Sequence, residues 1–113
     1  MPKKITKKKE MADLDKAWSL RVRKRDDYTC QICKKKLKKQ FAQAHHILPR
    51  TIKGTRWDID NGVTLCYSCH KVGQYAAHQN ALWFSFWLKT NKNKQFWYVI
   101  KKLKEIGKKE RAI

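Results

Sequence analysis

Four cysteines and three histidines stand at characteristic spacing between residues 30 and 70. The cysteines form two Cys-x-x-Cys pairs, one of Cys30 and Cys33 and the other of Cys66 and Cys69. Four thiolates complete the closed tetrahedral shell of a structural zinc, so these pairs predict one structural Zn²⁺. Because that zinc uses all 4 cysteines of the chain, the histidines remain free for other chemistry.

His45, His46 and His70 have the chemistry that phosphodiester hydrolysis requires. Histidine can activate water as a base because its pKa lies close to physiological pH. A divalent cation held by neutral imidazoles can stabilise charge on the phosphate and on the leaving oxygen. A single histidine is more often structural, and His70 could replace a cysteine as a zinc ligand. The joint occurrence of His-His, Asn61 and His70 between two cysteine pairs favours a catalytic site.

The order of these residues resembles that of the HNH endonucleases. The resemblance rests on the His45-His46 pair, Asn61 and His70 inside the four-cysteine frame, and it spans residues 26–75. It implies a ββα-metal fold in which His46 is the general base and His45 and His70 bind a catalytic divalent metal. Asn61 would orient the base or lend an oxygen to the metal, but Asn61-Gly62 is also a strong turn signal on its own.

The pair of adjacent histidines leaves two points open. The resemblance alone assigns the base to His46 and the metal to His45. Neighbours on a regular strand point to opposite faces, so the strand must be distorted there if both serve one site. A site built of imidazoles should accept Mn²⁺, Ni²⁺, Co²⁺ or Zn²⁺ as well as Mg²⁺.

A second, smaller likeness lies in the Thr-Arg-Trp-Asp stretch at residues 55–58, which follows His46-Ile-Leu-Pro-Arg50. This stretch is similar to phage recombination nucleases of the NinG type. It implies a protein associated with a phage or mobile element, acting in the cytoplasm of an infected bacterial host.

The charge of the chain predicts a polyanionic partner. Lysine and arginine total 28 against 9 acidic residues in 113, which gives a net charge of +19. We expect DNA, double-stranded or branched, as the partner, and a membrane surface or a ribosome as the alternative. The candidate nucleic-acid contacts are Lys34, Lys35, Lys36, Lys38, Lys39, Arg50 and Arg56.

The helices and strands that must position these residues are predicted to form one α+β domain over residues 1–113. Its core, a small zinc-stapled and treble-clef-like HNH unit at 26–75, follows a mobile basic arm at 1–10 and precedes a helical extension at 76–107. Apolar periodicity predicts helices over 13–25, 66–74, 76–90 and 95–106, with Asp13 as the first N-cap and Gly107 as the last stop. Strands are expected over 41–49 and 63–65.

Two non-catalytic alternatives fit the composition. A zinc-ribbon or treble-clef module could bind nucleic acid without cutting it, and a structural protein of an RNA–protein particle would also be basic. Neither needs the histidines or Asn61. No stretch reads as a transmembrane helix or signal peptide, so we expect a cytoplasmic protein with reduced cysteines and no membrane partner. The aromatic C-terminal helices could form a homodimer.

Overall fold

Within residues 6–111, which the computed structural model describes, the chain forms a two-stranded hairpin and four α-helices; side chains are described as far as residue 108. The elements in chain order are α1 (Lys7–Arg25), β1 (Gln43–His46), β2 (Gly62–Leu65), α2 (Tyr67–Lys71), α3 (Ala81–Asn91) and α4 (Asn93–Arg111). Short 3-10 helices at Lys39–Phe41 and Ile59–Asn61 precede the two strands. The order strand, strand, helix confirms the predicted α+β fold with one helix before the ββα unit and two after it.

Helix α1 begins earlier than the sequence predicted. The Thr6 side chain accepts a hydrogen bond from the Lys9 N–H at 3.2 Å and caps the helix. The expected cap, Asp13, lies inside the helix, because the preceding lysines, glutamate, methionine and alanine are all good helix formers. The predicted basic arm is therefore helical from Lys7, and residues 1–5 lie outside the described part of the chain.

Helix α1 packs across the hairpin through buried Trp18 and Val22. The strands are antiparallel, and His46 stands opposite Gly62. A Cβ atom on Gly62 would lie 2.5 Å from Val22 Cγ2 and 2.6 Å from Trp18 Cζ2, so the absence of a side chain permits this close approach. The apolar face of α1 is only partly buried, since Leu14, one turn before Trp18, is 45% exposed.

The loop between β1 and β2 is held from both sides. From α1, Trp18 Nε1 donates to the Asp58 carbonyl at 2.7 Å. From α4, the Tyr98 hydroxyl donates to the Asp58 carboxylate, and Gln95 Nε2 donates to the carbonyls of Asp60 at 2.8 Å and Gly62 at 2.7 Å. The flanking helices therefore fix the part of the chain that separates the two strands.

Helices α2 and α3 are bounded by capping residues that the sequence prediction missed. The Cys66 side chain caps α2, which ends at Lys71 and not at residue 74. Helix α3 begins at Ala81, five positions after the predicted start, because the Asn80 side chain accepts from the Trp83 N–H at 3.0 Å. Residues 72–80 form a series of turns in place of a helix.

Helix α4 is longer than predicted at both ends. It starts at Asn93 and passes through Gly107 to Arg111, so the prediction that Gly107 ends the helix was wrong. Residues 108–111 continue this helix. A glycine inside a helix costs stability but does not by itself end the hydrogen-bond pattern.

The hydrophobic core joins the hairpin to α3 and α4. Its buried members are Cys30, Leu48, Val63, Leu65, Ala77, Phe84, Trp87, Leu88 and Val99. Most of the tryptophans are at least half-buried, and Trp97 is 50% exposed. Among the described residues, none of the helices is both long and apolar enough to cross a bilayer.

Candidate active site

The four cysteines converge on one point. The Sγ atoms of Cys30, Cys33, Cys66 and Cys69 all lie within 4.8 Å of one another, and those of Cys33 and Cys66 are 3.9 Å apart. Zn–S bonds of about 2.3 Å in a tetrahedron separate the sulfurs by about 3.8 Å, so the cluster fits one zinc ion. Burial raises the pKa of the Cys69 thiol, so a cation is needed to hold it as a thiolate.

The first cysteine pair and the second come from different parts of the fold. Cys30 and Cys33 lie in a turn that the isolated bridge between Thr29 and Lys36 closes. Cys66 and Cys69 lie at the start of α2, where the Cys69 N–H donates to Cys66 Sγ. A metal shared by these pairs would join the segment after α1 to the helix of the ββα unit.

A second cluster contains three histidines. The ligand nitrogens of His45 on β1, His70 on α2 and His78 in the following turns lie within 4.8 Å of one another. The Nε2 atoms of His70 and His78 are 2.9 Å apart. Gln43 Oε1 accepts from His70 Nδ1 at 2.7 Å, which leaves the lone pair on Nε2, facing His78. His45 Nδ1 is buried and has no hydrogen-bond partner.

Two of these histidines, His45 and His70, are held in the form that binds metals. Burial, followed by the neighbouring His70 and His78, lowers the pKa of His45 to about 3. Burial and the neighbouring His78 lower the pKa of His70 to about 4. Both imidazoles are therefore neutral at neutral pH. An unpartnered nitrogen, a tautomer fixed by a glutamine and a nitrogen pair at short distance together fit a divalent metal ion.

His46 has different partners and stands beside this cluster. Its ring is stacked on the Trp18 ring, with centroids 3.8 Å apart and planes 8° apart. Its Nε2 lies 2.9 Å from the Arg56 carbonyl oxygen. A carbonyl can only accept, so Nε2 carries the proton and Nδ1 keeps a lone pair. Burial lowers the pKa of His46, which favours this neutral form.

Both members of the histidine pair reach one cleft. His45, His46, His70 and His78 line an open cavity of ≈ 910 Å³. Both histidines keep their register in β1, opposite Val63 and Gly62. His45 packs against His70 and His78, whereas His46 stacks on Trp18, so the strand keeps its alternation of faces and does not show the distortion expected from the sequence.

The model of the HNH endonuclease family matches residues 30–72. This segment is similar to an HNH domain. A search of the curated proteins and a search of the solved structures found no significant match. The match is to the HNH family and does not identify the NinG type. In the stretch that suggested that type, Arg56 and Trp57 both donate to the Asp15 carboxylate, which gives these side chains a structural use.

His78 lies outside the matched segment of the HNH domain and was given no role by the sequence analysis. It follows His70 by eight positions, and its N–H donates to the His70 carbonyl at 3.0 Å. The turns at 72–80 bring it to the histidine cluster. A fourth histidine, downstream of the HNH pattern, was a signal in the sequence, but its spacing matched no helix or strand.

Asn61 stabilises the loop after β1. It is fully buried; its Oδ1 accepts from the Leu48 N–H at 2.7 Å, and its Nδ2 donates to the carbonyls of Leu48 and Thr55. Its own carbonyl accepts from the Ile47 N–H. The carbonyl that holds the His46 ring is that of Arg56, so the structure does not bring Asn61 to the base directly. Asn61 fixes the backbone on both sides of this contact.

The predicted nucleic-acid contacts differ in their availability. Arg50 is exposed and lines the cleft, as does Lys71, which the sequence analysis did not single out. The exposed lysines near the first cysteine pair are Lys34, Lys35, Lys36, Lys38 and Lys39. Arg56 is paired with Asp15 at 2.7 Å, and its side chain is only 15% exposed. Its role as a phosphate contact stays a prediction.

Proposed function

We propose that the protein is a metal-dependent HNH endonuclease that hydrolyses phosphodiester bonds in DNA. His46 is the general base, and His45, His70 and His78 hold the catalytic divalent metal. The four cysteines hold a structural zinc. The observation that carries this proposal is the convergence of three imidazoles on one point in an open cleft, beside a fourth imidazole with a free nitrogen.

His46 handles the proton of the attacking water. The Arg56 carbonyl occupies Nε2–H, so Nδ1 is the atom that takes the proton. Because burial lowers the pKa of His46, this nitrogen is unprotonated and ready at neutral pH. The metal, when bound, would supply positive charge to the phosphate and the leaving 3′ oxygen.

The basic surface supplies DNA binding without base recognition. Arg50 and Lys71 line the cleft. We expect them to contact phosphates of the bound DNA. The exposed lysines at 34–39 extend the positive surface beyond the site. Phosphate contacts position a backbone and do not read its sequence, so we expect cleavage with little sequence preference.

The proposal is tested by incubating supercoiled plasmid with the zinc-loaded protein and Mg²⁺ or Mn²⁺, beside a His46→Ala variant of equal zinc content. A general base contributes on the order of 100-fold or more, so nicking by the variant should fall by at least that factor. DNA binding should be unchanged, since His46 is not among the lysines and arginines that we expect to contact the phosphates. Branched junctions serve as a second substrate.

A non-catalytic zinc module is the competing function. It would bind plasmid and junction DNA but would cut neither, with any of the four metals Mg²⁺, Mn²⁺, Ni²⁺ or Zn²⁺. Cleavage that His46→Ala leaves intact would point to a contaminating nuclease. The three converging imidazoles favour the catalytic proposal, because nucleic-acid binding alone requires no such cluster.

A further inference from the structure

We propose that Asp15 and Trp18 of helix α1 are positioning residues that hold the His46 imidazole in the orientation and tautomer of a general base. This inference rests on the proposed nuclease function. Both residues precede residues 30–72, the segment that the HNH family model matches, so the base of the HNH unit is fixed from outside that unit.

Trp18 contacts the base and its loop at the same time. Its ring is stacked on His46 with planes 8° apart, which restricts rotation of the imidazole. Its Nε1 donates to the Asp58 carbonyl at 2.7 Å, in the loop that also presents the Arg56 carbonyl. Trp18 is 4% exposed and packed on Gly62, so it cannot move away from the ring without disturbing the core.

Asp15 acts one contact further away, through Arg56. Its carboxylate accepts from Arg56 Nε at 2.9 Å and from Arg56 Nη2 at 2.7 Å, a paired geometry of charged hydrogen bonds. The same carboxylate accepts from Trp57 Nε1 at 2.9 Å. Two consecutive residues of the loop are thereby tied to one turn of α1, and the backbone carbonyl of the first of them is the one that meets His46.

These contacts have a chemical consequence at the imidazole. A neutral histidine exists as two tautomers, and the partner of one nitrogen decides which nitrogen keeps the lone pair. A carbonyl fixed at Nε2 selects the Nε2–H form and leaves Nδ1 as the base. If Arg56 loses its anchor, its carbonyl is free to shift, and the His46 ring can then populate the other tautomer or rotate.

The test compares Asp15→Ala with Asp13→Ala in the zinc-loaded full chain. Asp13 lies two positions earlier on the same helix and is exposed, so its substitution controls for helix propensity and charge. Long-range ¹H–¹⁵N NMR correlations report which His46 nitrogen carries the proton, in the absence of any added divalent metal. Cleavage kinetics with Mn²⁺ then separate kcat from KM.

We expect the parent protein and Asp13→Ala to show His46 protonated at Nε2, and Asp15→Ala to show a mixture of tautomers. Loss of such an indirect contact should lower kcat by about tenfold with KM unchanged, by analogy with partners that orient metal ligands. Trp18→Phe keeps an aromatic ring and should be affected less than Trp18→Leu, which removes the stacking.

The inference is overturned if Asp15→Ala retains the Nε2–H tautomer and the kcat of Asp13→Ala. It is also overturned if Trp18→Phe and Trp18→Leu lose the same fraction of Nε2–H signal. The NMR measurement needs no cleavage activity. A parent protein that fails to cut DNA would therefore refute the nuclease function while the positioning of His46 was still tested by its spectrum.

Discussion

At the scale of single residues, His78 would complete the proposed metal site. His45 and His70 come from the two elements that the HNH pattern joins, and alone they would leave a metal with two protein ligands. His78 adds a third nitrogen, 2.9 Å from His70 Nε2. Three protein ligands with open positions are typical of catalytic metal sites, whereas structural sites are closed.

Replacing His78 by alanine should therefore weaken metal binding without unfolding the protein, since His78 is exposed. Loss of even an outer-shell partner lowers metal affinity by roughly 10- to 100-fold, so loss of a ligand should cost at least about tenfold. Calorimetric titration of Ni²⁺ into the zinc-loaded protein measures this, because imidazole sites favour Ni²⁺.

The matched control for this titration is Gln79→Ala. Gln79 is the next residue in the chain, lines the same cleft and is also exposed, but its side chain donates to the Lys71 carbonyl. Its substitution should leave Ni²⁺ affinity unchanged. Equal affinities of His78→Ala and the parent protein would show that His78 is not a ligand.

The sequence predicted the type of site and most of its histidines, but not how they are held. His45, His46 and His70 follow from a recognisable order of residues. His78 reaches the cluster through the turns at 72–80, and the geometry of turns cannot be predicted from hydrophobic periodicity. The contact of the Arg56 carbonyl with His46 could not be predicted either, because every residue has a backbone carbonyl and the sequence does not show which one meets the ring. The position of this carbonyl also depends on the contact of Arg56 with Asp15, 41 positions away.

At the scale of elements, the contact between α1 and the hairpin sets the position of the His46 ring. The apolar periodicity that predicted this helix includes Trp18 and Val22, and both are buried. The sequence could not predict that they approach the backbone of Gly62, because a glycine has no apolar side chain that would indicate a packing contact. In the sequence, Gly62 indicated only a turn.

Gly62→Ala should disturb this contact. The new methyl group would meet Val22 and Trp18 at 2.5 and 2.6 Å, and both side chains are buried, so they cannot move aside freely. Overpacking of this kind typically costs about 1–3 kcal/mol of unfolding free energy. Urea denaturation followed by tryptophan fluorescence measures the loss.

Gly54→Ala is the control, because nothing lies within 4 Å of the Cβ position at Gly54. It lies in the same β1–β2 connection, and its unfolding free energy should stay close to that of the parent. A Gly62→Ala protein as stable as the Gly54→Ala protein would mean that α1 does not approach the hairpin as closely as described.

At the scale of the whole molecule, a four-cysteine cluster that fits one zinc ion connects the parts of a small core. Cys30 belongs to the hydrophobic core, while Cys66 and Cys69 begin the helix that carries His70. The paired cysteines made this arrangement predictable, since their spacing defines a zinc site without knowledge of the fold. The lengths of α1 and α4 were less predictable, because their lysine-rich ends are helical but lack the apolar periodicity from which a helix is predicted.

Cys33→Ser should therefore abolish the stable fold. Cys33 is exposed, so the substitution itself creates no cavity, and any loss reports on zinc binding. A structural zinc contributes about 10–16 kcal/mol in small domains. That is as large as the whole stability of a typical domain, about 5–15 kcal/mol. We expect one zinc per chain in the parent, none tightly bound in the variant, and loss of the cooperative thermal transition.

Ser68→Ala, at an exposed residue between Cys66 and Cys69, should keep both the zinc and the transition. A Cys33→Ser protein that melts cooperatively at the temperature of the parent would show that the core alone holds the fold.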